Sequence, residues 1–560
     1  MKKYINIKTG LFAVMVLTLA SCAKKLDLFP INDFTSENAY ATAAGYKGVL
    51  SKVYGGLSVT GLGGDDDTRN IGAAGNPDIV GLNEGYQTPF LRQLFNFEEL
   101  PTDEAIEAWN DQGVLNDFHN LNWTPSNTFN EGLYARLVYN VTIANEYIRE
   151  AADDKVAGRG ITGADAEDIK KSRAEARFLR ALNYWALIDL YGKSTFITEA
   201  DGVGAFLPKE ISRTDLFTYV EKDLKEIEDL VYPARTAPYG RADQGAVWSL
   251  LARLYLNAKV YTGVEKNTEA ITYAKKVIDA GYTLHGKYAE LFMADNDKCT
   301  DEIIFPIVCD GAKVRSFGNT TFFIHAPCGD DYAEYGSAEG WYGYRATSAL
   351  GDLFPKKDDM LDSSLDKRAA HFFTSVFKPT ETQMEIATNA PGNFGNGLHI
   401  KKYVNVRTDG LPVADAARNG LIADIDFPMF RLAEIYFIYA EAVLRGGAGG
   451  NSGEALDYLN NIRRRAYGGT YGPSDIGKIK STDLNLQFIL DERARELYWE
   501  AHRRTDLVRY NLLTTSTYLW PWKGGVADGT AVESKYNIYP IPSANLSANK
   551  NLTQNDGYTN

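Results

Sequence analysis

Cysteine is scarce in this chain, with four in 560 residues, at positions 22, 299, 309 and 328. No CxxC spacing occurs, and the six histidines (119, 285, 325, 371, 399 and 502) are scattered. A disulfide scaffold and a zinc site are therefore not expected. Whether Cys299 and Cys309 pair is left open, because spacing alone does not give their distance. Positive charge is also short. The 59 Lys and Arg face 73 Asp and Glu for a net charge of −14, and no basic cluster stands out. Nucleic acid needs a positive footprint, so that class of partner is excluded. Beyond Ala20 no apolar stretch approaches the ~20 residues that span a bilayer.

Groupings that suggest catalysis or metal binding are weak. Glu98, Glu99, Asp103 and Glu104 lie too close together to flank a glycosidic bond on two sides, and PTDEAIEAW reads as a turn leading into a short helix. Asp65–Asp66–Asp67 and Asp330–Asp331 lack the alternating oxygens and late glutamate of an EF-hand loop. A structural calcium stays open, and no other cofactor is expected. Gly61, Gly63 and Gly64 follow no strand and precede no helix, which excludes a dinucleotide site. Arg463–Arg464–Arg465, Arg503, Arg504 and Asp506 read as scaffold charges, paired or solvated.

The N-terminus carries the clearest local signal. Lys2, Lys3 and Lys8 precede or flank the apolar run Leu11 to Ala20, and Leu19-Ala20-Ser21-Cys22 closes it. A charged start, a short apolar core and small residues before a cysteine form a secretory signal of the lipobox type. Residues 1–21 are expected to be removed and Cys22 to be lipidated, anchoring the mature unit 22–560 on a membrane. Two or more acyl chains give stable anchoring where one gives only marginal binding. The alternative is an ordinary cleaved signal with a chance cysteine.

Helical periodicity recurs along the chain. In Arg173 to Gly192, Ala174, Phe178, Ala181, Trp185 and Ile188 form one apolar stripe with Arg173, Arg177 and Arg180 set away from it, and Gly192 stands at the C-cap. Further helices are expected over Glu131–Ala151, Thr214–Val231, Ala246–Ala258, Thr268–Ala280, Arg431–Leu444, Glu454–Ala466 and Leu486–Ala501. They come in pairs with small residues at close-packing positions, like degenerate tetratricopeptide repeats. A non-repetitive bundle is the alternative. Between them, Gly55 to Ser126 and Ile303 to Gly420 are neither helical nor low in complexity, and their Trp, Tyr and Phe argue against disorder. Ordered excursions of this length are where function is expected.

Five segments in order carry a family resemblance. They are RAEARFLRALNYWALIDLYG, the pair AVWSLLARLYLNAKVYTG and ITYAKKVIDAGYTL followed by DEIIFPI, FPMFRLAEIYFIYAEAVLR followed by ALDYLNNIRRRA, ILDERARELYWEAHRRTDLVRY, and YPIPSANLSANKNLTQNDGY. With the lipobox they resemble the SusD/RagB family of bacterial nutrient-binding lipoproteins over the whole mature chain. The resemblance implies an all-α fold of four degenerate tetratricopeptide-like helix pairs with long inserted loops (about 55–126 and 303–420) and minor β-structure. It also implies a non-enzymatic protein on the outer-membrane surface, delivering ligand to a TonB-dependent, SusC-like transporter.

Within the family, PFLRQLFNFEELPTDEAIEAWNDQG, DGAKVRSFGNTTFFIHAPCG and EGWYGYRAT resemble the starch-binding members. By position, that resemblance implies an aromatic arc of Trp109, Phe317 and Trp341 for a starch-type α-glucan or malto-oligosaccharide. Polar contacts would come from Arg92, Glu84 and Gln112. Phe317 stands where a tyrosine is expected and Gln112 where asparagine is. The chemistry agrees, since pyranose C–H faces pack on aromatic planes while hydroxyls need the donors of an arginine and the acceptors of a carboxylate. The alternatives are another glycan or peptide ligand, a helical adaptor for protein partners, and a glycosidase.

Overall fold

The structure is a computed structural model describing residues 35–62, 76–109, 114–202, 204, 206–357, 360–373, 397–416 and 419–559. Cys22, Asp65–Asp67 and Gln112 lie outside the described residues. The principal helices are α1 (Ala43–Gly55), α2 (Phe90–Glu99), α3 (Thr128–Glu150), α4 (Ala164–Leu190), α5 (Arg213–Ile227), α6 (Gln244–Leu256), α7 (Asn267–Asp279), α8 (Thr320–His325), α9 (Leu432–Leu444), α10 (Ser452–Ala466), α11 (Leu486–Leu497) and α12 (Arg503–Arg509). Four strands matter here, β1 (Ile106–Glu107), β2 (Ile303–Ile307), β3 (Tyr344–Arg345) and β4 (Phe427–Arg431). The class is all-α with minor β-structure, as the resemblance implies, and the helices are those the periodicity indicates.

Local chemistry sets the helix ends. The side chains of Asn127, Ser212, Asp243, Asn451 and Asn485 accept backbone N–H groups at the starts of α3, α5, α6, α10 and α11. Gly192 and Gly281, at φ +73° and +85°, stand one residue past the C-caps of α4 and α7. In the stack α3 packs on α4, α4 on α5, α6 on α7, α7 on α9 and α9 on α10. β2 pairs antiparallel with β4, and Pro306 and Pro428 face each other where neither can donate a ladder bond. The register shifts immediately after that pair.

Four expectations are corrected. Arg180 is not set away from the core. It is 1% exposed and paired with Asp223 at 2.9 Å and with Glu199. The Gly55–Ser126 excursion contains a wholly buried helix, α2. PTDEAIEAW leads into strand β1, because its backbone is taken up by β3. The helix expected over 486–501 stops at Leu497, and Trp499 and Ala501 turn at φ +60° and +61°. The Glu104 carboxylate accepts from the Trp499 N–H at 3.3 Å and Glu99 from the Ala501 N–H at 2.6 Å, holding that turn. Burial, with Glu104 beside it, raises Glu99 well above the usual carboxylate range. These acids are closed off from solvent and structural.

Apart from exposed Arg464, the scaffold charges are paired. Arg431 reaches Glu500 at 2.6 Å, Glu496 at 2.7 Å and Glu302 at 2.9 Å. Arg368 reaches Asp366 at 2.6 Å, Glu492 at 2.9 Å and Glu496 at 3.1 Å. Arg463 meets Glu492 and Lys402 meets Glu500, while Arg465 meets both Glu302 and Glu496. A second set ties α12 to the α2–β1 segment and to α4, with Arg503 to Asp103 at 2.7 Å and Arg504 to Glu98 at 3.4 Å and to Asp189 of α4 at 2.9 Å. Cys299, Cys309 and Cys328 are free and buried. No helix among the described residues is long and apolar enough to cross a membrane.

Removing one partner of a buried pair strands the other charges. Glu496→Ala is expected to cost about 3–5 kcal/mol, measured by urea unfolding. Acid should act in the same way. Burial raises Glu441, but Arg509 and Arg445 outweigh it and hold the carboxyl down to about 2. Such a group contributes stability that is fully present above its unfolded value, ~4.3, and is lost as pH falls through its folded value. The thermal midpoint is expected to fall between about pH 4.3 and pH 2, and Glu441→Gln should flatten part of that slope.

Candidate carbohydrate-binding site

A short sheet builds the site. β1 and β3 run antiparallel with Ile106 opposite Arg345 and Glu107 opposite Tyr344, and Ala108 N–H donates to Gly343 O at 2.7 Å beyond them. This ladder carries Trp109 and Trp341 to the same edge. Their ring centroids are 6.4 Å apart at 53°, and Trp109 Nε1 donates to Trp341 O at 3.0 Å. The Trp109 ring lies directly over Gly343, where a Cβ would fall well inside van der Waals contact.

The Trp341 segment is anchored on the end of α8. Trp341 N–H donates to His325 O at 2.8 Å, Tyr342 N–H to Cys328 O at 2.9 Å and Gly343 N–H to Ala326 O at 2.8 Å. Phe317 comes from the stretch before α8, whose Gly318 O accepts the Arg92 N–H at 3.1 Å. Its ring is 5.8 Å from Trp341, again at 53°. The structure thus brings the three expected aromatics together, with Trp341 in the middle. All three are half-buried, and Trp109 and Trp341 pack against the core.

Arg92 and Glu84 lie deeper than a surface contact would, at 6% and 8% exposure. The Arg92 guanidinium covers the Phe322 ring at 4.6 Å and donates to Gly85 O at 3.3 Å, leaving Nε without a hydrogen-bond partner. Burial brings Arg92 down to about 10. Phe322 in turn lies 6.5 Å from Trp341, which puts the arginine beside the rings. Glu84 is tied in through its carbonyl, which accepts from Thr60 Oγ1 at 2.9 Å.

Sequence reasoning missed three residues here. Tyr342 takes a left-handed backbone, φ +57°, its ring packed on Gly329 and its hydroxyl bonded to Asp330. Its neighbour Trp341 was the available signal. His325 and Glu339 lie against Trp341, the histidine ring at 4.8 Å and the carboxylate accepting from Trp341 Nε1 at 3.0 Å. Nothing local in the sequence marks either.

Asp330 and Asp331 are engaged within the protein, Asp330 by Tyr342 and Asp331 by the Gly329 N–H at 2.8 Å. Among the described residues no cluster of three or more His, Cys, Asp or Glu is arranged to hold a metal ion. A cavity of about 660 Å³ involves Lys193, Arg213, Lys535 and Asp556, and shares no lining residue with the rings.

Stacked helices here carry a row of tilted aromatic rings beside a buried arginine, an arrangement of flat apolar area with a polar edge that suits the C–H faces and hydroxyls of a sugar. Comparison with known proteins agrees. A family model described as "SusD family" matches residues 301–558, and one described as "Starch-binding associating with outer membrane" matches 79–256. The chain is 38% identical to the "Starch-binding protein SusD" of Bacteroides thetaiotaomicron, over 99% of both chains. It is 25% identical to the "SusD-like protein P2" of Formosa agariphila over 98% of this chain and 99% of that one. A SusD superfamily structure from Parabacteroides distasonis superposes with a TM-score of 0.66 at 21% identity, covering 94% of this chain and 100% of that one. The surface glycan-binding protein A of B. thetaiotaomicron in complex with laminarihexaose gives 0.63 at 16%, covering 91% and 98%. The chain belongs to the SusD family, whose members bind carbohydrate, are not enzymes and associate with the outer membrane.

Gly343→Ala tests the geometry directly. The added methyl is expected to displace the Trp109 ring and abolish the near-UV circular dichroism of the Trp109–Trp341 pair, while the far-UV spectrum stays unchanged.

Proposed function

We propose that this protein captures starch-type α-glucan and malto-oligosaccharides at the cell surface and passes them to a TonB-dependent, SusC-like transporter, anchored in the outer membrane through lipidated Cys22. The observation that carries the reading is the successive tilt of Trp109, Trp341 and Phe317, 53° at each step. A flat, extended chain presents its sugar faces in nearly one plane. A coiled α-glucan presents them at changing inclination, which neighbouring rings that are not coplanar accommodate. The starch-binding relative supports the same ligand. Arg92 adds fixed donors beside the rings and Glu84 acceptor oxygens, and Gln112 is assigned the remaining polar contact. An open platform competes with water at every contact, so each sugar binds weakly and affinity grows as a longer chain engages several rings. Weak binding suits a protein that must release its ligand.

A different glycan on the same platform is the second reading, favoured by the laminarihexaose bound to a protein of the same fold. Native affinity electrophoresis of residues 23–560 separates the two. Amylopectin gels are expected to retard the protein, Trp109→Ala/Trp341→Ala to abolish the retardation, and β-glucan and xylan gels to leave migration unchanged. Retardation in β-glucan but not in amylopectin would overturn the α-glucan assignment.

A further inference from the structure

We propose that Glu339 is a positioning residue of the aromatic platform, fixing the tilt of Trp341 from the ring edge while buried His325 braces it from behind. The inference rests on the reading of the rings as a sugar platform.

A half-buried tryptophan at a protein surface ordinarily satisfies its indole N–H with water and retains some freedom about χ2. Here Trp341 Nε1 is bound at 3.0 Å by a carboxylate two residues earlier in the same turn. A hydrogen bond to an ionised acceptor is about twice as strong as a neutral one. The Glu339 side chain is 52% exposed, yet it is held in place. His325 Nδ1 lies 3.6 Å from the same carboxylate oxygen. The neighbouring imidazole and the indole N–H that it accepts hold the Glu339 carboxyl below the usual carboxylate range, so that it accepts as an anion.

Behind it, His325 is 1% exposed and cannot move independently. Its Nε2 lies 2.9 Å from Ser337 Oγ, and that hydroxyl donates to Glu339 O at 2.9 Å, closing the turn on itself. The imidazole touches Trp341 edge-on at 4.8 Å and 68°, and Phe317 at 6.1 Å and 65°. One buried ring thus sets two of the three platform rings. The third is tied to the same backbone, because Trp109 Nε1 donates to the carbonyl of Trp341.

The order Ser337, His325, Glu339 has the composition of a hydrolytic triad, but not its access. Ser337 is 4% exposed and its proton is committed to Glu339 O, so no substrate carbonyl can reach it. The arrangement is a brace.

Without the carboxylate, Trp341 must be ordered by the ligand when it binds, and the cost of immobilising one side chain appears as lost affinity. Calorimetry with maltoheptaose is expected to show Glu339→Ala binding about fivefold more weakly than wild type. Glu339→Gln, which keeps an acceptor oxygen, should stay within about twofold. Both variants should keep the wild-type thermal midpoint. In parallel, protein labelled with 5-fluorotryptophan is observed by ¹⁹F NMR without ligand, the Trp341 signal being assigned by its loss in Trp341→Phe. That signal should broaden or shift in Glu339→Ala and be restored in Glu339→Gln. An unchanged Trp341 signal in Glu339→Ala, or unchanged affinity where wild type binds, overturns the inference. Failure of wild type to bind maltoheptaose overturns the α-glucan reading instead, and the fluorine signal still decides the role of Glu339.

Discussion

The structure depends on a balanced set of charges taken out of water around Arg431 and Glu496. Arg368, Arg431, Arg463, Arg465 and Lys402 face Asp366, Glu302, Glu492, Glu496 and Glu500, and none of the ten side chains is more than 9% exposed. Desolvating any one of them alone would cost several kcal/mol, and mutual pairing makes the arrangement tolerable only when every member is present. The partners come from the β2 approach, the Ile303–Gly420 excursion, β4, α10, α11 and the turn after it. The excursion can therefore take only a docking that satisfies all of them together. We regard this as the constraint that gives a long, loop-rich insertion one position on a repetitive helical scaffold.

The site inherits its geometry from that docking and from the second set of pairs. Arg503 and Arg504 hold Asp103 and Glu98, which fixes where α2 ends and β1 begins. The excursion supplies β3 and α8 on the other side. β1 and β3 meet between these two sides, and the tryptophans stand at the edge where they meet. The rings rest on ordered structure and are half-buried. Preorganisation of this kind lowers the ordering cost of binding without enclosing the ligand. It suits capture and transfer better than retention.

The backbone around the rings is unusual in the same sense. Tyr342, Trp499 and Ala501 all take the left-handed region that non-glycine residues avoid. The first adjoins Trp341, and the other two shape the turn that binds Glu99 and Glu104. Strain of about 1–3 kcal/mol per residue persists only where surrounding contacts over-determine the conformation. At both places carboxylates and backbone carbonyls supply those contacts.

By itself the sequence determined the helices, because helix formation is read from a 3.6-residue period and from capping residues next to it in the chain. α6, α7, α9 and α10 begin within two residues of the periodic segments. Its aromatics also pointed to ordered structure within the excursions, which their described residues carry, and the family resemblance nominated Trp109, Phe317 and Trp341. Tertiary structure decided what depends on distant partners. Arg180 looked like a solvated face and is buried, because Asp223 is 43 residues away. The helix through 486–501 looked continuous and breaks, because Glu99 and Glu104 take up the backbone after it. Trp109 and Trp341 touch across 232 residues of chain, and the brace of His325, Ser337 and Glu339 exists only in the folded turn. A charge or a ring in a sequence has many possible partners, and only the path of the chain selects one.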